Sequence, residues 1–118
     1  MSDTATFRVL CRLEDIPDGE SRGFPAPPGG FTGLFAIRRG DRVFAYVNSC
    51  PHIGLPLEPV PDRFLDRKRE LIVCAAHGAR FRVHDGECVS GPCIGNALEA
   101  VPVTIVAGEV RVPAEAGR

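Results

Sequence analysis

An all-β fold of short antiparallel strands is what this sequence predicts. Thirteen glycines and eleven prolines are spread over 118 residues. Apolar residues show little helical periodicity, and the apolar runs are short and bounded by turn formers. A chain of 118 residues is one domain with room for a modest core.

Taken in order, residues 6–13 alternate. Phe7, Val9, Cys11 and Leu13 fall on one side and Thr6, Arg8 and Arg12 on the other, with Leu10 the one exception. This predicts a half-buried strand with Cys11 as a core cysteine. From Glu14 to Gly33 nothing is periodic, which predicts a long loop pinned to the body by Phe24 and Phe31. Leu34–Ile37 and Val43–Val47 are strands on either side of Arg38-Arg39-Gly40-Asp41-Arg42, a hairpin tip with solvated arginines. Leu57–Glu70 holds Pro59, Pro61 and the charged run Asp66-Arg67-Lys68-Arg69-Glu70, and that run reads as a solvated turn. Leu71-Ile72-Val73 is a short buried strand and residues 80–83 another. His84-Asp85-Gly86-Glu87 is a turn with an exposed histidine, and Cys88-Val89 a return strand. Glu99–Val106 and Glu109–Val112 form a closing hairpin around Ala107-Gly108, with Pro102 marking an edge. The tail after Pro113 is expected to fray.

Composition excludes several functions. A net charge of -1 argues against a general nucleic-acid or membrane binder. The longest apolar run, Leu71 to Ala76, is too short to span a bilayer. The polar, acidic first six residues do not read as a signal peptide, so a cytoplasmic location is expected. Five cysteines, an odd number, argue against a disulfide framework. No nucleophile motif and no dinucleotide fingerprint is present, so no catalytic residue is assigned.

The chemistry is concentrated in Cys50-Pro51-His52 and Cys74-Ala75-Ala76-His77. Each segment supplies one thiolate and one imidazole, the side chains that hold soft and borderline metals. Turn formers flank both: Pro51, Gly54 and Pro56 in the first, Gly78 in the second. One zinc ion is the default reading of two cysteines and two histidines. The spacing counts against it, because zinc fingers usually leave two to four residues between paired ligands, often of like kind. Four unrelated residues on two surface loops is the bland alternative.

The pattern Cys-x-His and Cys-x-x-His resembles the Rieske family, and so do Asn48-Ser49-Cys50-Pro51-His52, His77-Gly78, Phe81, Gly86 and Gly91-Pro92 in the same order. The resemblance runs from about residue 5 to 112, with a somewhat longer connection between the ligand segments. It implies the Rieske fold: an antiparallel β-sandwich or barrel-like base carrying an inserted cluster-binding subdomain, about residues 48–93. It implies one [2Fe-2S] cluster in which Cys50 and Cys74 bind one iron and His52 and His77 the other. Gly91-Pro92 would be the proline loop covering the cluster.

Neutral imidazoles make such a cluster less negative and easier to reduce, which gives potentials of about -150 to +300 mV in this class. High-potential members carry an extra cysteine in each ligand loop; Leu55 and Ala76 stand there in this chain. They also place Ser and Tyr hydroxyls where Ala79 and Phe81 stand here. A low-potential, ferredoxin-type centre is therefore expected, with a potential that becomes pH-dependent once an imidazole proton titrates. Cys88 and Cys93 flank the proline loop and are expected to be two small thiols. The resemblance implies a one-electron carrier between a flavin-dependent reductase and a terminal oxygenase; the small size and mixed charge lead to the expectation of a monomer. A small accessory subunit of a nitrite reductase-like complex is the alternative, and a zinc-stabilised binding module a third reading.

Overall fold

The alternation of residues in two adjacent strands divides the interior into two cores. The computed structural model describes residues 7–27, 29–51, 57, 62–74 and 78–118. Among these, the strands are β1 (Phe7–Arg12), β2 (Ser21–Phe24), β3 (Leu34–Arg39), β4 (Arg42–Val47), β5 (Leu71–Val73), β6 (Arg80–Arg82), β7 (Cys88–Ser90), β8 (Ala100–Val101), β9 (Thr104–Val106) and β10 (Glu109–Pro113). They form three antiparallel sheets, ordered β1-β10-β9, β2-β3-β4-β8 and β5-β6-β7.

The middle sheet is buried on both faces. Leu34, Ala36, Val43 and Ala45 pack toward Val110 and Val112 of β10, while Phe35, Ile37 and Tyr46 pack toward Ile72, Phe81 and Cys88 of the third sheet. Successive strand residues point to opposite faces, so one apolar hairpin serves two cores. The hairpin is the one the sequence predicts, its strands running on to Arg39 and back from Arg42. Arg39, Gly40, Asp41 and Arg42 at its tip are exposed, as expected, and only the third arginine departs from that. Arg38 is half-buried, and its guanidinium donates to the carbonyls of Ile16 (3.1 Å) and Gly40 (2.7 Å).

Four other expectations change. The first strand carries a bulge: Val9 pairs with Arg111 and Cys11 with Val110, leaving Leu10 as the extra residue. Leu10 and Cys11 therefore both pack on the core, and Phe7 and Val9 turn outward. Second, the stretch from Glu14 to Gly33 is not all loop, because β2 pairs with β3 from Ser21↔Ile37 to Phe24↔Leu34. An edge strand containing Gly23 and a single aromatic has no alternation to read. Phe24 packs on the core as expected, but Phe31 does not pin the loop, being 98% exposed. Third, the predicted Glu99–Val106 strand splits at Pro102: β8 pairs with β4 and β9 with β10. Proline cannot donate to a ladder, so the chain changes sheets there, and both pieces are edge strands. Fourth, the tail folds back. Gly33 N–H donates to the Gly117 carbonyl at 2.6 Å and Arg8 to the Ala116 carbonyl at 2.8 Å.

The third sheet is joined to the middle one by aromatic contacts. Phe64 stacks on Phe35 with centroids 4.3 Å apart and planes 6° from parallel. Tyr46 donates its hydroxyl hydrogen to the Val83 carbonyl at 2.5 Å. Burial, aided by the nearby Asp85 charge, pushes that phenol up to about 12. Gly86 adopts φ +73°, and a Cβ there would lie 2.6 Å from the Tyr46 ring, so the turn after β6 accepts only glycine.

Candidate metal centre

Three segments meet in the core shared by the middle and third sheets. The first leaves β4. Asn48, buried at its end, accepts a hydrogen bond from Leu57 N–H on its Oδ1 at 3.0 Å, which brings Leu57 back to the strand end. Cys50 follows two residues later and is 1% exposed. The second segment leaves β5. Val73 N–H donates to the Phe64 carbonyl at 2.9 Å, and Cys74, next in line, is fully buried. Cys74 N–H donates to the Ala79 carbonyl and the Cys74 carbonyl accepts from Gly78 N–H, both at 2.8 Å. Gly78 has φ +70°, the conformation that lets the chain return so tightly.

The third segment is the turn after β7. Gly91 sits at φ +95°, where a Cβ would come 2.8 Å from the Ala79 Cα. The turn thus lies directly on the base of the Cys74 loop. Asn96 N–H donates to the Cys93 carbonyl (2.8 Å), and Cys88 N–H to the Asn96 carbonyl (3.0 Å). These bonds hold Cys93, fully buried, with its Sγ 3.9 Å from Cys50 Sγ. Cys50, Cys74, Ala79, Phe81 and Cys93 all belong to one core.

Of the four predicted ligands, Cys50 and Cys74 are brought into this common core. His52 and His77 lie outside the described residues. Among the described residues, no three metal-ligating side chains come together. Two buried sulfur donors in one core fit the sulfur side of an iron–sulfur centre. Thiolates favour soft metals, and burial lowers the local dielectric.

Two residues near the site have roles the sequence did not disclose. Asn48 gave a partial signal as a polar residue between a buried strand and a cysteine. Cys93 gave none, because it approaches a residue far away in the chain. The sequence grouped it with Cys88, yet the Cys88 thiol donates instead to the Ser90 carbonyl at 3.3 Å.

Charges lie along the third sheet and its turns, the Arg82 end being opposite the Cys74 end. Burial acts to raise the Asp66 carboxyl, but N–H donors from Glu70, Leu71 and Arg69 and the Arg80 charge outweigh it, so its pKa is lowered. The charged run is thus a hydrogen-bonded turn, as expected. His84 is exposed, also as expected. Beside it, Arg82 makes a two-pronged contact with Asp85 at 3.1 and 2.6 Å. That bond, with the Glu87 N–H, holds Asp85 down at about 2. A carboxyl depressed from its ordinary value of 3.8 contributes to stability above that value and loses the contribution as pH falls through about 2. In Arg82→Gln, the Asp85 titration followed by NMR should move back up toward the ordinary carboxylate range.

A profile of the Rieske [2Fe-2S] domain matches residues 6–107. The chain belongs to that family, and its cofactor is a Rieske-type [2Fe-2S] cluster. Among solved structures, it is similar to a chain in the complex of reduced oxygenase and oxidized ferredoxin of carbazole 1,9a-dioxygenase. That match has a TM-score of 0.74 and 29% identity over 93% of this chain and 94% of that one. It is also similar to the ferredoxin of carbazole 1,9a-dioxygenase from Nocardioides aromaticivorans IC177, with TM-score 0.72 and 25% identity over 91% and 96% of the two chains. The terminal oxygenase from Novosphingobium sp. KA1 matches at TM-score 0.73 and 21% identity, but over 29% of its own length, and shares the fold alone. No curated protein matches this sequence.

Proposed function

We propose that this protein is a Rieske ferredoxin, a one-electron carrier that delivers electrons to a terminal oxygenase. The observation that carries this reading is coverage in both directions. Its match spans 94% and 96% of two chains from carbazole dioxygenase systems, one of them named a ferredoxin, at 29% and 25% identity. In this reading the chain is not itself an enzyme. Cys50 and Cys74 hold one iron and His52 and His77 the other, within a cluster-binding subdomain of about residues 48–93 in a single domain. The buried position of both cysteines supports the sulfur half of that set. When bound, the cluster supplies a one-electron couple. The chain's own residues fix the two thiolates, exclude water from them and set the charge around them. A flavin-dependent reductase as donor and a cytoplasmic location complete the proposal. No helix among the described residues is long and apolar enough to cross a membrane.

Reduced protein mixed with a terminal oxygenase of a carbazole dioxygenase system tests this reading. One electron per chain should pass to the oxygenase. A reduced protein that transfers nothing to such oxygenases would overturn it.

The surroundings also predict a low potential. Ala79 and Phe81 are both fully buried, and neither side chain can donate a hydrogen bond. Introducing Ala79→Ser or Phe81→Tyr should raise the potential in a redox titration. One added hydrogen bond contributes about 1 kcal/mol, which is roughly 40 mV for a couple in which a tenfold change is about 59 mV.

A further inference from the structure

We infer that Cys93 is a positioning residue for electron transfer: its thiol donates a hydrogen bond to the Cys50 sulfur and so helps set the reduction potential. This rests on the proposed role of Cys50 as a cluster ligand. The two sulfur atoms lie 3.9 Å apart, in the range of a sulfur–sulfur hydrogen bond. Chemistry fixes the direction. A metal-bound thiolate has no hydrogen and can only accept, so Cys93 S–H is the donor.

The contact is held in place by backbone. Gly91 presses on Ala79, and the Asn96 and Cys88 N–H bonds close the turn around Cys93. Both cysteines are buried, so water does not compete for the thiolate. A donor on a ligand sulfur stabilises the more negative, reduced state and raises the potential. Cys88 has a different role, since its own thiol is directed at the Ser90 carbonyl.

The test compares Cys93→Ala, Cys93→Ser and, as control, Cys88→Ala, each first shown to retain the low-g EPR signal of mixed His/Cys ligation. At a fixed applied potential, Cys93→Ala should hold about threefold to tenfold less reduced protein than the parent, the size of one ordinary hydrogen bond. A tenfold change is about 59 mV for a one-electron couple. Cys93→Ser, which keeps a donor, should recover part of the difference, and Cys88→Ala should titrate like the parent. In the parent, the reduced-minus-oxidised infrared spectrum should show an S–H stretch moving to lower frequency on reduction, and Cys93→Ala should lack it.

A Cys93→Ala protein with an intact cluster and the parent potential would overturn the inference. If that variant fails to assemble, the parent's infrared spectrum decides. A missing S–H shift refutes the bond and a shift absent from Cys93→Ser supports it. The ligand reading fails separately, if Cys50→Ala keeps the cluster signal.

Discussion

Cys50→Ala and Cys74→Ala lose the iron–sulfur colour and the EPR signal of the reduced protein, whereas Cys11→Ala and Cys88→Ala keep both. This all-or-none contrast is expected because the four cysteines sit in different chemical settings. Cys74 follows directly from β5 and Cys50 lies three residues after β4, and both are buried in the core shared by the middle and third sheets. Cys11 is half-buried on the opposite core, where burial, followed by the Asp15 charge, raises its thiol pKa. It is a neutral packing group, and its removal costs only a small side chain. Iron and acid-labile sulfide analysis of the purified variants checks the result. A Cys11→Ala protein without iron, or a Cys74→Ala protein with a full complement, would require a different ligand set.

Phe64→Ala lowers stability by about 3–5 kcal/mol, the usual range for deleting a buried aromatic ring. For a domain of this size that is a fall in thermal midpoint on the order of 12–20 °C. Phe64 is fully buried and stacked on Phe35, so its ring joins the middle sheet to the segment beneath β5. Its carbonyl accepts from Val73 N–H at 2.9 Å, one residue before Cys74. A truncated ring leaves a cavity under the strand that delivers a ligand. The cluster should therefore bleach faster on warming in Phe64→Ala than in the parent. Circular dichroism and visible absorbance recorded on the same thermal ramp check both parts. A midpoint within a few degrees of the parent would show that this stack does not hold the two sheets together.

What could be read in the sequence follows from what is local. The β3–β4 hairpin was legible because its apolar runs flank a Gly40-Asp41 turn, and β5 because Leu71-Ile72-Val73 is short, apolar and preceded by a charged run. Cys50 and Cys74 stood out in the sequence through their short spacing to His52 and His77 and the family resemblance, and the structure buries both in one core. Edge strand β2 was not, since Ser21-Arg22-Gly23-Phe24 has no alternation and gains its place from pairing with β3. The Leu10 bulge left a trace, an apolar residue out of phase, but the trace does not say which neighbours turn outward. Phe31 was misread because hydrophobicity alone does not tell a buried ring from an exposed one. The folded-back tail and the approach of Cys93 to Cys50 depend on distant parts of the chain, and no local pattern encodes them.

The most direct measurement is an EPR-monitored redox titration of the protein. A [2Fe-2S] signal with the low average g value of mixed His/Cys ligation is expected to appear on reduction, with a midpoint toward the lower end of about -150 to +300 mV. A colourless, zinc-containing protein that stays silent under strong reductant would contradict an electron-carrying centre and leave a metal-stabilised binding module in its place.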